Sequence, residues 1–117
     1  MPYLKILEAV LAALPGSQAA ILLDSQGELV VEAGDKDPRH RLIGAYLGIA
    51  LLKLQRITAE HPVGGVRTLL SRYSQGQVAV CPLKDGYYLV LSVSPESSLP
   101  RAAHLLARAA AEVNREL

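Results

Sequence analysis

The residues of this chain on which chemistry could be built are three histidines, one cysteine and a few acids near turns. His40, His61 and His104 are 21 and 43 positions apart. None makes the H-x-x-x-H or H-E-x-x-H spacing that sets two imidazoles on one helix face for a metal. They read as solvated or cap-associated histidines, and no metal site is expected. Cys81 lies in the apolar stretch "QVAVCPL" and reads as a small buried hydrophobe, not a nucleophile. As the single cysteine, it can form neither an intrachain disulfide nor a cysteine zinc cluster. Asp24, Ser25 and a histidine would supply the residue types of a triad. There is no G-x-S-x-G elbow, however, and "DSQG" is ordinary turn chemistry. Gly64-Gly65 lacks the rest of a phosphate-cradling loop and precedes a strand, not a helix. Asp35 and Asp37 could act as paired acids, but helix capping explains Asp37 equally well. No catalytic residue and no cofactor ligand emerges, so an enzyme is the least favoured reading.

Two clusters are more informative. Arg39, His40 and Arg41 fall in the first turn of a long helix, where positive charge opposes the helix dipole. Either Asp35 and Asp37 compensate, or the cluster meets an acidic patch on a partner. Tyr87-Tyr88 reads as strand packing, since no basic groove accompanies it for base stacking.

The elements that must position these residues follow from length and pattern. The chain has 117 residues, half of them hydrophobic, which suits one domain over residues 1–117 with a real core. With 12 basic and 11 acidic residues, nothing favours nucleic acid or an anionic membrane surface. The start of the chain shows no cleavable leader pattern. The uncharged run Leu42 to Leu52 is too short for the roughly 20 residues of a bilayer span. The expectation is a cytoplasmic protein without membrane insertion.

"YLKILEAVLAAL" (3–14) spaces leucines at threes and fours, one apolar helical stripe closed by Pro15-Gly16. Ala19 to Leu23, the turn "DSQG" and Leu29-Val30-Val31 read as a hairpin. Its first strand does not alternate, so both faces should be covered. Asp37 as N-cap and Pro38 at the first position start a helix running to about Glu60, with Pro62 marking the stop. "GGVRTLLSRY", "QVAVCPL" and "YYLVLSV" make three more strands, with regular pairing expected to weaken near Pro82. Ser98, in competition with Ser94 and Ser97, caps a final helix whose apolar face is Leu99, Ala102, Leu105, Leu106, Ala109 and Val113. The order is helix, two strands, long helix, three strands, helix: one α+β domain with an antiparallel sheet and a helix layer on each side.

The long helix "LIGAYLGIALLKL" has no wet face. The stripe Ile43, Leu47, Ala50, Leu54 and Ile57 is enough to cover a sheet. A second stripe, Gly44, Gly48, Leu51 and Gln55, lies about a third of a turn away. A helix apolar over this much of its girth must be buried on more than one side. Each interior glycine costs about 1 kcal/mol relative to alanine, which close approach of a second helix would offset. The expected partner is a second copy across a two-fold axis. The alternative is that Gly44 and Gly48 only admit the chain's own sheet.

The whole pattern resembles the Roadblock family of roadblock-type dynein light chains and bacterial MglB-like proteins. The stretches that carry the likeness are "AAILLDSQGELVVEAG" with Gly27 at the turn, "LIGAYLGIALLKL" as central helix, and "VAVCPLKDGYYLVLSVSPESSL". One departure is Pro100, close to where many members place a glycine before the last helix. The resemblance implies a Roadblock/profilin-like fold: a five-stranded antiparallel sheet, the central helix on one face and the terminal helices on the other. It implies a homodimer through the central helix and third strand, here residues 42–57 and 66–73. The interface candidates are then Gly44, Gly48, Leu51, Leu52, Gln55, Val66, Thr68 and Leu70. It also implies a small Ras-like GTPase as partner, whose hydrolysis some members stimulate. Arg39, Arg41, Gln55 and Arg56 are the candidate partner contacts. Rival readings are a structural adaptor pairing with other Roadblock-like chains, and a PAS-like small-molecule sensor. The sensor would need an internal cavity above about 300 Å³, which a leucine- and alanine-rich core is not expected to leave.

Overall fold

The computed structural model describes residues 2–117. In chain order it forms helix α1 (Pro2–Ala13), strands β1 (Ser17–Leu23) and β2 (Leu29–Gly34), and helix α2 (Pro38–Thr58). Strands β3 (Leu69–Tyr73), β4 (Gly76–Pro82) and β5 (Tyr88–Val93) follow, with a 3₁₀ turn at Lys84–Gly86 ahead of β5, and helix α3 (Leu99–Glu116) closes the chain. The strands lie in the order β2-β1-β5-β4-β3, and every neighbouring pair is antiparallel. β2 and β3 are therefore the two edges.

The unbroken apolar run of β1 is explained by the layers. Successive side chains of a strand point to opposite faces. Ala20 and Leu22 join Leu7, Leu91, Leu106 and Val113 in the core beneath α1 and α3. Ala19, Ile21 and Leu23 join Leu51, Tyr88 and Val90 beneath α2. Both faces of the central strands are covered, as the lack of alternation requires. The α+β arrangement read from the sequence is the one observed.

Local chemistry sets the boundaries. The Asp24 carboxylate accepts from the Gln26 and Glu28 amides at 2.8 and 2.9 Å, which shapes the β1–β2 turn, and Gly27 takes the positive φ that the turn requires. Asp37 caps α2 through the Arg39 amide, with Pro38 following. Ser98 caps α3 by accepting from the Arg101 amide. Its rivals serve elsewhere: Ser94 and Ser97 share a hydroxyl–hydroxyl hydrogen bond, and Ser97 donates to the Pro15 carbonyl at 2.8 Å. Pro100 sits in the first turn of α3 without disturbing it. β4 ends at Pro82, paired with Tyr88.

Two boundaries differ from the sequence reading. α2 stops at Thr58, short of Glu60. The third strand covers only Leu69–Tyr73 and not 66–73. The reason lies at Val66, whose amide and carbonyl are both taken by the Gln55 side chain, at 2.8 and 3.0 Å. A side-chain amide stands there in place of a neighbouring strand.

Candidate interaction surface

α2 lies alone on its side of the sheet, so the direction each of its residues faces decides what it can do. Gly44 and Leu51 are buried, and Leu47, Gly48 and Gln55 are half-buried. The glycine stripe faces inward. A Cβ at Gly44 would stand 3.0 Å from Val90 Cγ2 and 3.3 Å from Leu23 Cδ1, and one at Gly48 would overlap the ring and hydroxyl of Tyr88. This corrects the expectation that Gly44, Gly48 and Leu51 form a notch open to a second chain: the notch receives the protein's own β5. The stripe expected to cover the sheet is likewise turned outward. Of Ile43, Leu47, Ala50, Leu54 and Ile57, only Leu47 packs into the core.

The outer face is still apolar. Leu42, Tyr46, Ile49, Leu52 and Ile57 are each more than half exposed, from 52% at Leu52 to 66% at Tyr46. Steps of four, three and eight residues from Leu42 to Ile57 keep four of them in one stripe, interrupted by Lys53. Contiguous apolar surface of this kind marks an interaction site. The neighbouring edge of β3 adds to it. β3 pairs only with β4, which leaves its other row of backbone donors and acceptors free. Leu69 packs inward beside α2, while Leu70 and Tyr73 remain exposed. Thr68 and Val66 are half-buried in the approach to the strand.

The polar candidates divide. Arg39 donates to Asp37 from Nε and from a guanidinium nitrogen 2.6 Å away. The side-chain hydrogen bonds from Arg39, and then its backbone amide, lower the Asp37 carboxyl to about 2; the same pairing raises the Arg39 guanidinium. His40 Nε2 lies 3.2 Å from Asp35 Oδ2. Asp35 is held below its ordinary value chiefly by the Asp37 amide and next by His40. The acids thus compensate the basic first turn locally. Gln55 is committed to Val66 and is not a free contact. Arg56 is exposed in the last turn, and Arg41 is half-buried in the first. Of the four candidates, these two are the ones in neither an ion pair nor a side-chain hydrogen bond among the described residues.

Elsewhere the chemistry is structural. Asp24 and Ser25 belong to the hairpin turn. Cys81 is buried, its Sγ donates to the Arg67 carbonyl at 3.4 Å, and burial pushes its thiol up. Among the described residues no three His, Cys, Asp or Glu side chains cluster as metal ligands, and no helix is long and apolar enough to cross a membrane.

Sequence reasoning missed one feature altogether. A cleft of about 480 Å³ opens beside α2, between the β1–β2 turn and the Pro82–Tyr88 segment. It lies at the surface and not in the core, so it is not the internal cavity that a sensor reading would need. The adjacent glycines Gly27 and Gly48 were its only trace in the sequence.

No family model matches the sequence, and no curated protein matches it either. Solved structures do. MglB from Myxococcus xanthus superimposes with a TM-score of 0.84 at 12% identity, over 99% of this chain and 94% of that one. The Roadblock/LC7 domain from Streptomyces avermitilis gives 0.78 at 19% identity, over 96% and 94%. An MglB in a tetrameric arrangement gives 0.72 at 20% identity, over 95% and 89%. The fold of this chain is of the Roadblock type.

Proposed function

We propose that this chain is a non-catalytic, cytoplasmic module that forms a homodimer through the outer face of α2 and the free edge of β3. As a dimer it acts as a regulator or scaffold for a small Ras-like GTPase. The observation that carries the reading is the outer stripe of Leu42, Tyr46, Ile49 and Ile57, all more than half exposed on one helix. Water contact over such a stripe is costly, and burying each side chain is worth about 1.5–3 kcal/mol. A second copy is the simplest cover. Gln55 ties the approach to β3 to α2, so helix face and strand edge lie on one side and can both pair across one two-fold axis. Likeness to an MglB in a tetrameric arrangement supports self-association of this fold. The interface residues carried forward are Leu52, Thr68 and Leu70, now joined by Tyr46 and Ile49. The GTPase assignment rests on the Roadblock resemblance together with that fold, and Arg41 and Arg56 are the contacts offered to it. Stimulation of hydrolysis would come from ordering the GTPase's own site, since the chain offers a surface.

Light scattering after gel filtration, at low micromolar concentration, tests the dimer. The parent is expected at twice the chain mass and Ile49→Asp at the chain mass. A monomeric parent refutes the interface. Small GTPases from the same organism are then screened against the dimer in each nucleotide state. Binding that differs between the GTP and GDP forms is the expected result. Absence of any nucleotide-dependent binding, with exchange into heterodimers instead, would favour the adaptor reading.

A further inference from the structure

Tyr88 is a buried tyrosine whose hydroxyl has no hydrogen-bond partner among the described residues. The residue is only 6% exposed, and its ring fills the space that Gly48 leaves in α2. That hydroxyl also lies 3.5 Å from the position of a Cβ built on Gly27, so it sits between the β1–β2 turn and the helix. Among the described residues no sealed side-chain polar atom lacks a partner. The Tyr88 hydroxyl donates to none of the described residues, so it is reached from outside, through the cleft that Gly27, Gly48 and Tyr88 line together. A phenylalanine would fill the ring's place equally well. A phenol held this deep without a protein partner gives up part of its hydration for nothing, unless something in the cleft takes its hydrogen bond.

From this geometry we infer that the cleft is a small-molecule site, taking a flat, neutral, largely apolar ligand with one hydrogen-bond acceptor directed at the Tyr88 hydroxyl. The volume of about 480 Å³ is that of an ordinary ligand pocket. Ala45, Ile49, Leu52, Pro82 and Leu83 supply apolar walls. No lysine, arginine, histidine or acid lines it, so a phosphate or carboxylate would lose its water without gaining a counter-charge. Burial, and after it the Asp24 carboxylate, push the phenol up, which keeps the hydroxyl a donor at neutral pH and disfavours an anion further. Ile49 and Leu52 at the mouth also belong to the outer face of α2, so an occupant would touch the surface offered to partners. A second copy seated on Ile49 and Leu52 would therefore compete with an occupant at the mouth, and the cleft itself does not rest on the GTPase reading.

Two probes of similar shape separate the contributions: coumarin, whose lactone carbonyl is an acceptor, and naphthalene, which has none. Each is titrated into the ¹⁵N-labelled full chain. Coumarin is expected to give saturable shifts at the Gly27, Gly48, Gly86 and Tyr88 amides and to bind more tightly than naphthalene. Tyr88→Phe is expected to weaken coumarin roughly three- to tenfold, the value of one net hydrogen bond, and to leave naphthalene unchanged. Ala45→Leu, which fills the cleft from the helix side, should abolish both and serves if Tyr88→Phe does not fold. Shifts confined to Leu42 and Tyr46, equal coumarin affinity in Tyr88→Phe, or no saturable shift with either probe each overturn the inference.

Discussion

Gly48→Ala separates a glycine that admits the chain's own sheet from one that admits a second chain. The added methyl would overlap the distal ring of Tyr88, 2.8 Å from Cε2 and closer still to the atoms beyond. The ring can yield only toward the cleft it lines, which pulls it from the core where Tyr88 packs with Leu51 and Val90. Overpacking of this kind costs about 1–3 kcal/mol. Alanine in place of glycine in a helix returns about 1 kcal/mol. The two oppose, and overlap with a buried ring puts the packing term ahead, so Gly48→Ala should destabilise by about 1 kcal/mol. Replacing Tyr88 by leucine removes the distal ring atoms that meet the methyl. In that background only the helix term survives, and Gly48→Ala should stabilise by up to about 1 kcal/mol. Urea unfolding of the four proteins at matched concentration reads the cycle. The reversal of sign is the test. If Gly48→Ala stabilises the parent, or destabilises equally in both backgrounds, Tyr88 is not what the glycine accommodates. If its effect grows as the protein is concentrated, the glycine lies between chains and the inward phase of α2 is wrong.

Three smaller perturbations bear on the same frame. Gln55→Ala leaves the Val66 amide and carbonyl without the partners they have at 2.8 and 3.0 Å; a loss of about 1–2 kcal/mol is expected, with faster amide exchange at Val66, and unchanged exchange would mean the clamp is idle. Asp37 has a folded-state carboxyl lowered to about 2 from 3.8, so its contribution is present above the higher value and lost as pH falls through the lower one. Asp37→Asn keeps a cap but has no such titration, and its melting temperature should fall less than the parent's over that window; parallel profiles would refute the assignment. Burial raises the Cys81 thiol, so a disulfide reagent at pH 8 should leave it intact until denaturant is added, whereas prompt labelling of the native protein would show an opening of the sheet near Arg67.

The fold was largely legible because its signals are local or strongly periodic. The Asp24 turn, the Asp37-Pro38 helix start and the Ser98 cap each depend on a few adjacent side chains, and each is found in place. β1 announced its two covered faces by failing to alternate. What could not be read were pairings over long sequence separation. Gln55 replaces a strand partner for Val66 eleven residues on, and no local pattern says that a side-chain amide will do so. The apolar pattern of 66–73 therefore exceeds the strand, which is Leu69–Tyr73. The cleft escaped for the same reason, being assembled from three separate segments with Tyr88 between two glycines.

The phase of α2 is the feature the sequence hides most completely, for a physical reason. Periodicity reveals which way a helix faces only if one side is polar. Between Leu42 and Leu52 no residue is charged, so every phase looks inward. The glycines mark close approach but do not say to what. The deciding residue is Tyr88, forty positions after Gly48, because β-strand register sends it and not Tyr87 toward α2. With that phase fixed, the outward stripe becomes more informative than the notch was. Gly44, Leu47, Gly48 and Leu51 suffice to seat the helix on its sheet. Leu42, Tyr46, Ile49 and Ile57 contribute little to that seat, and the isolated fold would accept lysine or glutamate at each, with surface changes usually worth less than about 0.5 kcal/mol. Leucine, tyrosine and isoleucine gathered on one exposed face are what the proposed partner surface accounts for. The face of α2 that favours a partner is thus the one opposite the glycines, where Leu42, Tyr46, Ile49 and Ile57 are each more than half exposed.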